Sequence, residues 1–251
     1  MNTGNPQDLL VVASHAPFKK EVRGVPEHPE CDDGWVLQDY QVGEPPFYIE
    51  HIRRGVVLTA HNPASLLVFS GGRTRVEGGE RGEARCYQEI ARYYDWWIPQ
   101  GKLREDVSGR AITEEYARDS FENVLFSICR FQQHTGRYPR NVAVVGWAFK
   151  RARFDLHRAA IRFPEGRFRY EGFNNPIDLK AAWKGETKTL HDFARSRYGA
   201  GGDLARKRAN RNPFNELHPY ASCPGLSAFF EFIENPANEQ KDYPGPLPWE
   251  D

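Results

Sequence analysis

The sequence carries no net charge, with 34 Lys+Arg against 34 Asp+Glu in 251 residues. This excludes a global field that would draw the chain onto nucleic acid or an anionic membrane, and leaves only local basic patches. Cysteine is sparse: Cys31, Cys86, Cys129 and Cys223 form no CxxC pair. Their spacing excludes a zinc framework, and Cys86 and Cys129 fall in predicted helices, which favours reduced, structural thiols. The opening stretch MNTGNPQDLLVVASHA has no basic n-region and only a short apolar run, so it does not read as a secretory signal. No apolar run reaches the length that spans a bilayer. Internal repeats are absent. A cytoplasmic protein without a membrane or nucleic-acid partner is the expectation. Also missing are GxGxxG, a Walker loop and GxSxG, so no motif assigns a dinucleotide, ATP or an esterase. Metal-ligand spacing is absent as well, and no cofactor is specified.

Short apolar runs are what the chain does have. LLVVA (9–13), LLVF (66–69) and NVAVVG (141–146) read as strands buried on both faces, and FRYEGF (168–173) as a further strand. Between them lie helical patterns: Tyr48 to Ala60, Glu83 to Trp97, a region from EEYARDSF to Gly136, Lys150 to Phe163, and Lys180 to Tyr198. Residues 99–112 read as a polar connection, and the stretch after SHAPF as a long loop. Alternating strands and helices predict an α/β fold, a Rossmann-like three-layer sandwich with a mainly parallel central sheet. Beyond Gly199 the composition changes. Residues 200–251 are expected to be a C-terminal extension packed on the domain formed by 1–199, with one short helix over Leu226 to Ile233 and a solvated loop at ARKRANR (205–211).

Position supplies the functional clue. SHA, SGGRTR and GWAFKR each follow a predicted strand, and in a parallel sheet such ends gather on the carboxyl edge, where ligands bind. In SGGRTR, Gly71 and Gly72 would offer backbone N–H groups as an anion nest, Ser70 stands at the strand end, and Arg73 and Arg75 would add charge-assisted contacts. A tight turn with two solvated arginines is the equal alternative. In GWAFKR, Gly146 ends a strand, and Lys150 and Arg151 open a helix, where basic side chains oppose the helix dipole unless an anion relieves the conflict. His15 is the candidate proton carrier. Glu83, at a helix start, is a candidate base or metal ligand. Asp119 and Glu122 have capping-box spacing, and a restart of the helix there is the plain alternative to a cleft role. Glu122 would pair with Arg73, Lys150 or Arg151, and Asn123 would orient a substrate or water. His157, mid-helix, reads as packed or paired.

The ordered set LLVVASHA, LLVFSGGRTR, GEARCY, RDSFENVLF and VAVVGWAFKRARF, spanning Leu9 to Arg169, resembles the DUF218 (YdcF-like) family, and the longer segments look most like its fungal branch. The resemblance implies a Rossmann-like domain with a polar cleft lined by Gly71, Gly72, Glu83, Ser120, Glu122 and Asn123. Some relatives are linked to S-adenosylmethionine, others to bacterial envelope processes, and no single reaction is common to them. The chain departs from the usual pattern in two places. Gly146, Trp147, Lys150 and Arg151 stand where a Ser or Thr followed by His is common, and Gly82 stands where a serine precedes the glutamate. The leading expectation is an enzyme of a small anionic molecule, with hydrolysis as the candidate reaction. A nucleotide or S-adenosylmethionine binding protein and a noncatalytic sensor are the alternatives.

Overall fold

A computed structural model describes residues 5–19, 21–22, 25–97 and 107–250. Five parallel strands form the central sheet: β1 (Asp8–Ala13), β2 (Ser65–Ser70), β3 (Ala111–Glu114), β4 (Asn141–Gly146) and β5 (Phe168–Gly172). Their order is β3-β2-β1-β4-β5, and every neighbouring pair is parallel. Period-two alternation divides each central strand between two cores. Leu9, Val11, Leu66, Val68, Val142 and Val144 face one apolar cluster, while Leu10, Val12, Leu67, Phe69 and Val145 face the other. Helices α1 (Pro45–His61) and α2 (Glu83–Tyr93) cover the second face. Helices α3 (Ser120–Thr135), α4 (Arg151–Ala160) and α5 (Leu179–Arg195) supply Phe121, Phe154 and Phe193 to the first. The result is the expected three-layer α/β arrangement.

The C-terminal stretch builds α6 (Gly202–Asn210) and α7 (Ser227–Glu234). Leu204, Tyr220, Phe229, Phe230, Leu247 and Trp249 join the cluster that holds α3. α6 replaces the solvated loop expected at 205–211. Of the connection expected over 99–112, residues 99–106 lie outside those described, and its end is strand β3. The helical region expected from EEYARDSF starts only at Ser120. Asp119 caps it by accepting from the Glu122 N–H at 2.9 Å, and Gly136 closes it at φ 78°, so the capping alternative is the one realised. The helix expected up to Trp97 stops at Tyr93, because Asp95, Trp96 and Trp97 turn into the left-handed region. All four cysteines are free thiols, with 86, 129 and 223 buried.

Candidate functional site

The order β3-β2-β1-β4-β5 reverses direction between β1 and β4, and the crevice outside their carboxyl ends is where open α/β sheets bind ligands. β1 delivers Ser14 and His15 to this point, and β4 delivers Trp147 and, at the end of a short 3-10 turn, Lys150. His15 stacks on Trp147 with ring centroids 5.7 Å apart. Its Nε2 lies 3.3 Å from Nδ1 of His51, a residue of α1, and His51 Nε2 lies 2.7 Å from the Phe173 carbonyl. Only an N–H can serve that carbonyl, so His51 carries its proton on Nε2 and its bare Nδ1 accepts from His15 Nε2–H. The remaining His15 nitrogen, Nδ1, then holds a free lone pair. Burial keeps both rings neutral: it lowers His51 to about 4, and it lowers His15 well below its ordinary value with help from the Lys150 charge. Gln41 Nε2 donates to the His15 carbonyl at 3.1 Å and holds the turn.

Lys150 is half-buried, and its ammonium has no acceptor among the described residues. Burial first, then the Arg153 charge, lowers its pKa to about 7, against the pull of Glu186 and Glu44. Arg153 itself is neutralised by Glu186 at 2.7 Å. Glu83 at the start of α2 accepts from Thr74 Oγ1, and burial raises its pKa. The charges of Arg75, Arg211 and Lys150 pull that pKa the other way. Ser14 Oγ is buried and unpartnered beside this group. A free lone pair, an unpaired cation, a buried carboxyl and an orphaned hydroxyl thus meet at one strand junction.

Other expected residues sit elsewhere on the carboxyl edge. Gly71 and Gly72 do not form an open nest: their N–H groups donate to the Glu114 and Ala117 carbonyls at 3.0 and 2.7 Å. They are required by close approach. A Cβ on Gly71 would lie 2.8 Å from Ser14 Cβ, and one on Gly72 would lie 2.8 Å from the Ala117 carbonyl oxygen. Gly146 likewise admits the Tyr170 hydroxyl. Arg73 is bound to the extension through Glu216 at 2.5 Å and Phe214 at 4.3 Å. Arg75 donates to the Val36 carbonyl and to Gln41. Arg151 is exposed over the Tyr170 ring. Glu122 pairs with Arg118 and Arg208, in place of Arg73, Lys150 or Arg151, because α6 brings Arg208 over the α3 start. Ser70 and Asn123 belong to a buried cluster around Glu114. That carboxyl accepts from Tyr116 N–H at 2.8 Å, Ser70 Oγ at 2.8 Å, Tyr220 OH at 3.0 Å and Ala117 N–H at 3.3 Å. Ser120 faces His157.

His51, Glu114, Arg208 and Arg211 were not read from the sequence. His51 stands mid-helix with no local signal. Two concavities lie away from the β1/β4 junction. One of about 270 Å³ is at the amino edge around Asp8, Asn62 and Arg167, and one of about 410 Å³ is beside β3, between Arg73, Arg130 and Tyr220.

Sheet order and covered faces define a Rossmann-like α/β protein, a fold compatible with binding small molecules or nucleotides. The chain is similar to a protein of Saccharomyces cerevisiae described as uncharacterized protein YOR238W. The two are 26% identical over 271 aligned positions, covering 85% of this chain and 86% of the yeast protein. No family model matches the chain, and no solved structure matches it. No helix among the described residues is long and apolar enough to cross a membrane.

Proposed function

We propose that the chain is an enzyme of a small anionic metabolite, hydrolytic in chemistry, working at the β1/β4 junction. The observation that carries this reading is the His15–His51–Phe173 chain. It fixes the tautomer that leaves His15 Nδ1 bare, close to the unpaired Lys150. A neutral imidazole held by a second group is the arrangement general-base catalysis uses. Lys150 would anchor the anion, with Arg211 adding charge from the extension, while Glu83 would donate or accept a proton. The DUF218-like assignment belongs to the same proposal. It rests on the ordered motifs, and Gly71, Gly72, Glu83, Ser120, Glu122 and Asn123 all lie on the carboxyl edge. A cytoplasmic setting goes with it. The adenosyl reading lacks equal support: β1 runs into the long connection from Ser14 to Glu44, where dinucleotide sites place a glycine turn and a helix N-terminus.

The test is a hydrolysis screen over small phosphate and carboxylate esters with wild type, His15→Gln and Lys150→Met. Turnover of an anionic ester is expected. His15→Gln should lower kcat by roughly 10²–10⁴-fold, and Lys150→Met should act mainly on KM. No turnover of any anionic compound, or variants indistinguishable from wild type, contradicts the reading.

A further inference from the structure

We propose that Ser120 is a nucleophile activated by His157, and that the chain cleaves carboxylic esters through an acyl group on Ser120. The inference rests on reading the carboxyl edge as the active site, and adds to it a covalent step and a substrate class. Ser120 opens α3 just beyond β3 and is half-buried. Its Oγ lies 2.8 Å from His157 Nε2, on α4. This is the nucleophile-to-base contact of serine acyl transfer. His157 is fixed by the rings of Phe121, Phe154 and Phe193 at 5.8, 5.7 and 4.5 Å. Burial first lowers its pKa to about 3, which leaves the ring neutral with a lone pair and makes it a weak base. The nearby Asp119 charge favours the imidazolium that would form. His157 Nδ1 meets no oxygen or nitrogen partner. With no acceptor binding Nδ1, the tautomer that carries the ring proton there leaves Nε2 to take the serine proton.

The N-terminus of α3 supplies the second half of the chemistry. Asp119 occupies the N–H groups of Glu122 and Asn123, whereas those of Ser120 and Phe121 find no acceptor among the described residues. They are donors for an oxyanion formed on an ester bound to Ser120. Arg153 acts electrostatically on His157, His15 and Lys150 alike, so this pair shares its neighbourhood with the β1/β4 junction.

The step balances without an oxidant or reductant. Ser120 Oγ attacks the ester carbonyl carbon, its proton passes to His157 Nε2, and the carbonyl electron pair moves onto oxygen. Collapse breaks the ester C–O bond, and the leaving alcohol takes the proton. Water then attacks the acyl carbon and gives a proton to His157. The serine oxygen leaves and recovers that proton, releasing the acid.

A fluorophosphonate probe with intact-mass and peptide analysis tests the proposal. One adduct on Ser120 is expected, none on Ser120→Ala, and labelling at least tenfold slower on His157→Gln. Long-range ¹H–¹⁵N spectra should place the ring proton of wild-type His157 on Nδ1. No adduct on wild type, an adduct elsewhere, an unchanged rate in His157→Gln, or the proton on Nε2 overturns it. Wild-type labelling and spectra decide even where a variant fails to fold. Melting of wild type with inorganic phosphate separates the two readings. Stabilisation without labelling removes the Ser120 role and leaves the anion site, and absence of both removes both.

Discussion

Glu114 is a buried acid whose pKa rises from 4.5 to about 7, chiefly because burial penalises its charge, even though four donors point at it. The folded state binds this proton more tightly than the unfolded chain. Its contribution to stability is therefore full below about 4.5 and is lost as pH rises through about 7. At 1.36 kcal/mol per pKa unit, the loss between pH 4.5 and 8 is about 3 kcal/mol, or roughly 6–12 °C in Tm for a chain of this size. Glu114→Gln is neutral at every pH; its amide oxygen can keep the Tyr116 N–H and Tyr220 hydroxyl donors while its NH2 turns to Ser70 Oγ, and the lost Ala117 N–H contact is a cost that does not vary with pH. Urea unfolding of wild type and Glu114→Gln across this range isolates the term, because other titrating groups are common to both. The variant should gain about 3 kcal/mol relative to wild type from low to high pH. Parallel pH profiles would refute the reasoning, because they would mean that Glu114 titrates alike in the folded and unfolded chain.

Gly71→Ala should cost roughly 1–3 kcal/mol in chemical denaturation, because its Cβ would crowd Ser14 Cβ at 2.8 Å and Glu83 Cβ at 3.0 Å. Arg208→Ala strands the buried Asp119 and should cost roughly 3–5 kcal/mol near neutral pH. Burial alone would raise the Asp119 pKa, but Arg208 outweighs it and holds it below 3.8. The stabilisation is therefore present above that value, and the difference between wild type and variant should shrink as acid unfolding passes below it. Anion affinity, followed by calorimetry with sulfate, whose charge is constant over this range, should weaken as pH rises above about 7, where Lys150 loses its proton, and Lys150→Met should abolish that dependence.

The central strands and the helices around them were legible because each apolar run is short, continuous and bounded by turn residues. Strand β3 was not. Its four residues, AITE, are two apolar then two polar, too short for a period-two pattern, and nothing local says that Glu114 will be buried and bonded by Ser70 and Tyr220. SGGRTR lies on the carboxyl edge, as its position after an apolar run predicts, but its glycines serve packing between strand-end loops, which only the fold reveals. Lys150 and His15 were legible as strand-end residues. Their surroundings depend on His51 from α1 and on the charge of Arg211 from the extension, which chain spacing does not predict, whereas Arg153 follows Lys150 by three residues. α6 was missed because GDLARKRAN is charged on most faces. It is held by Leu204 and by the Arg208 ion pairs to Asp119 and Glu122.

The most direct test is a crystal structure with the best-binding anion from a thermal-shift panel. The account predicts the anion at the carboxyl ends of β1 and β4, with an oxygen in hydrogen-bond reach of Lys150 Nζ. Density only in the concavity beside β3, or only at the amino edge near Asp8 and Arg167, would contradict it.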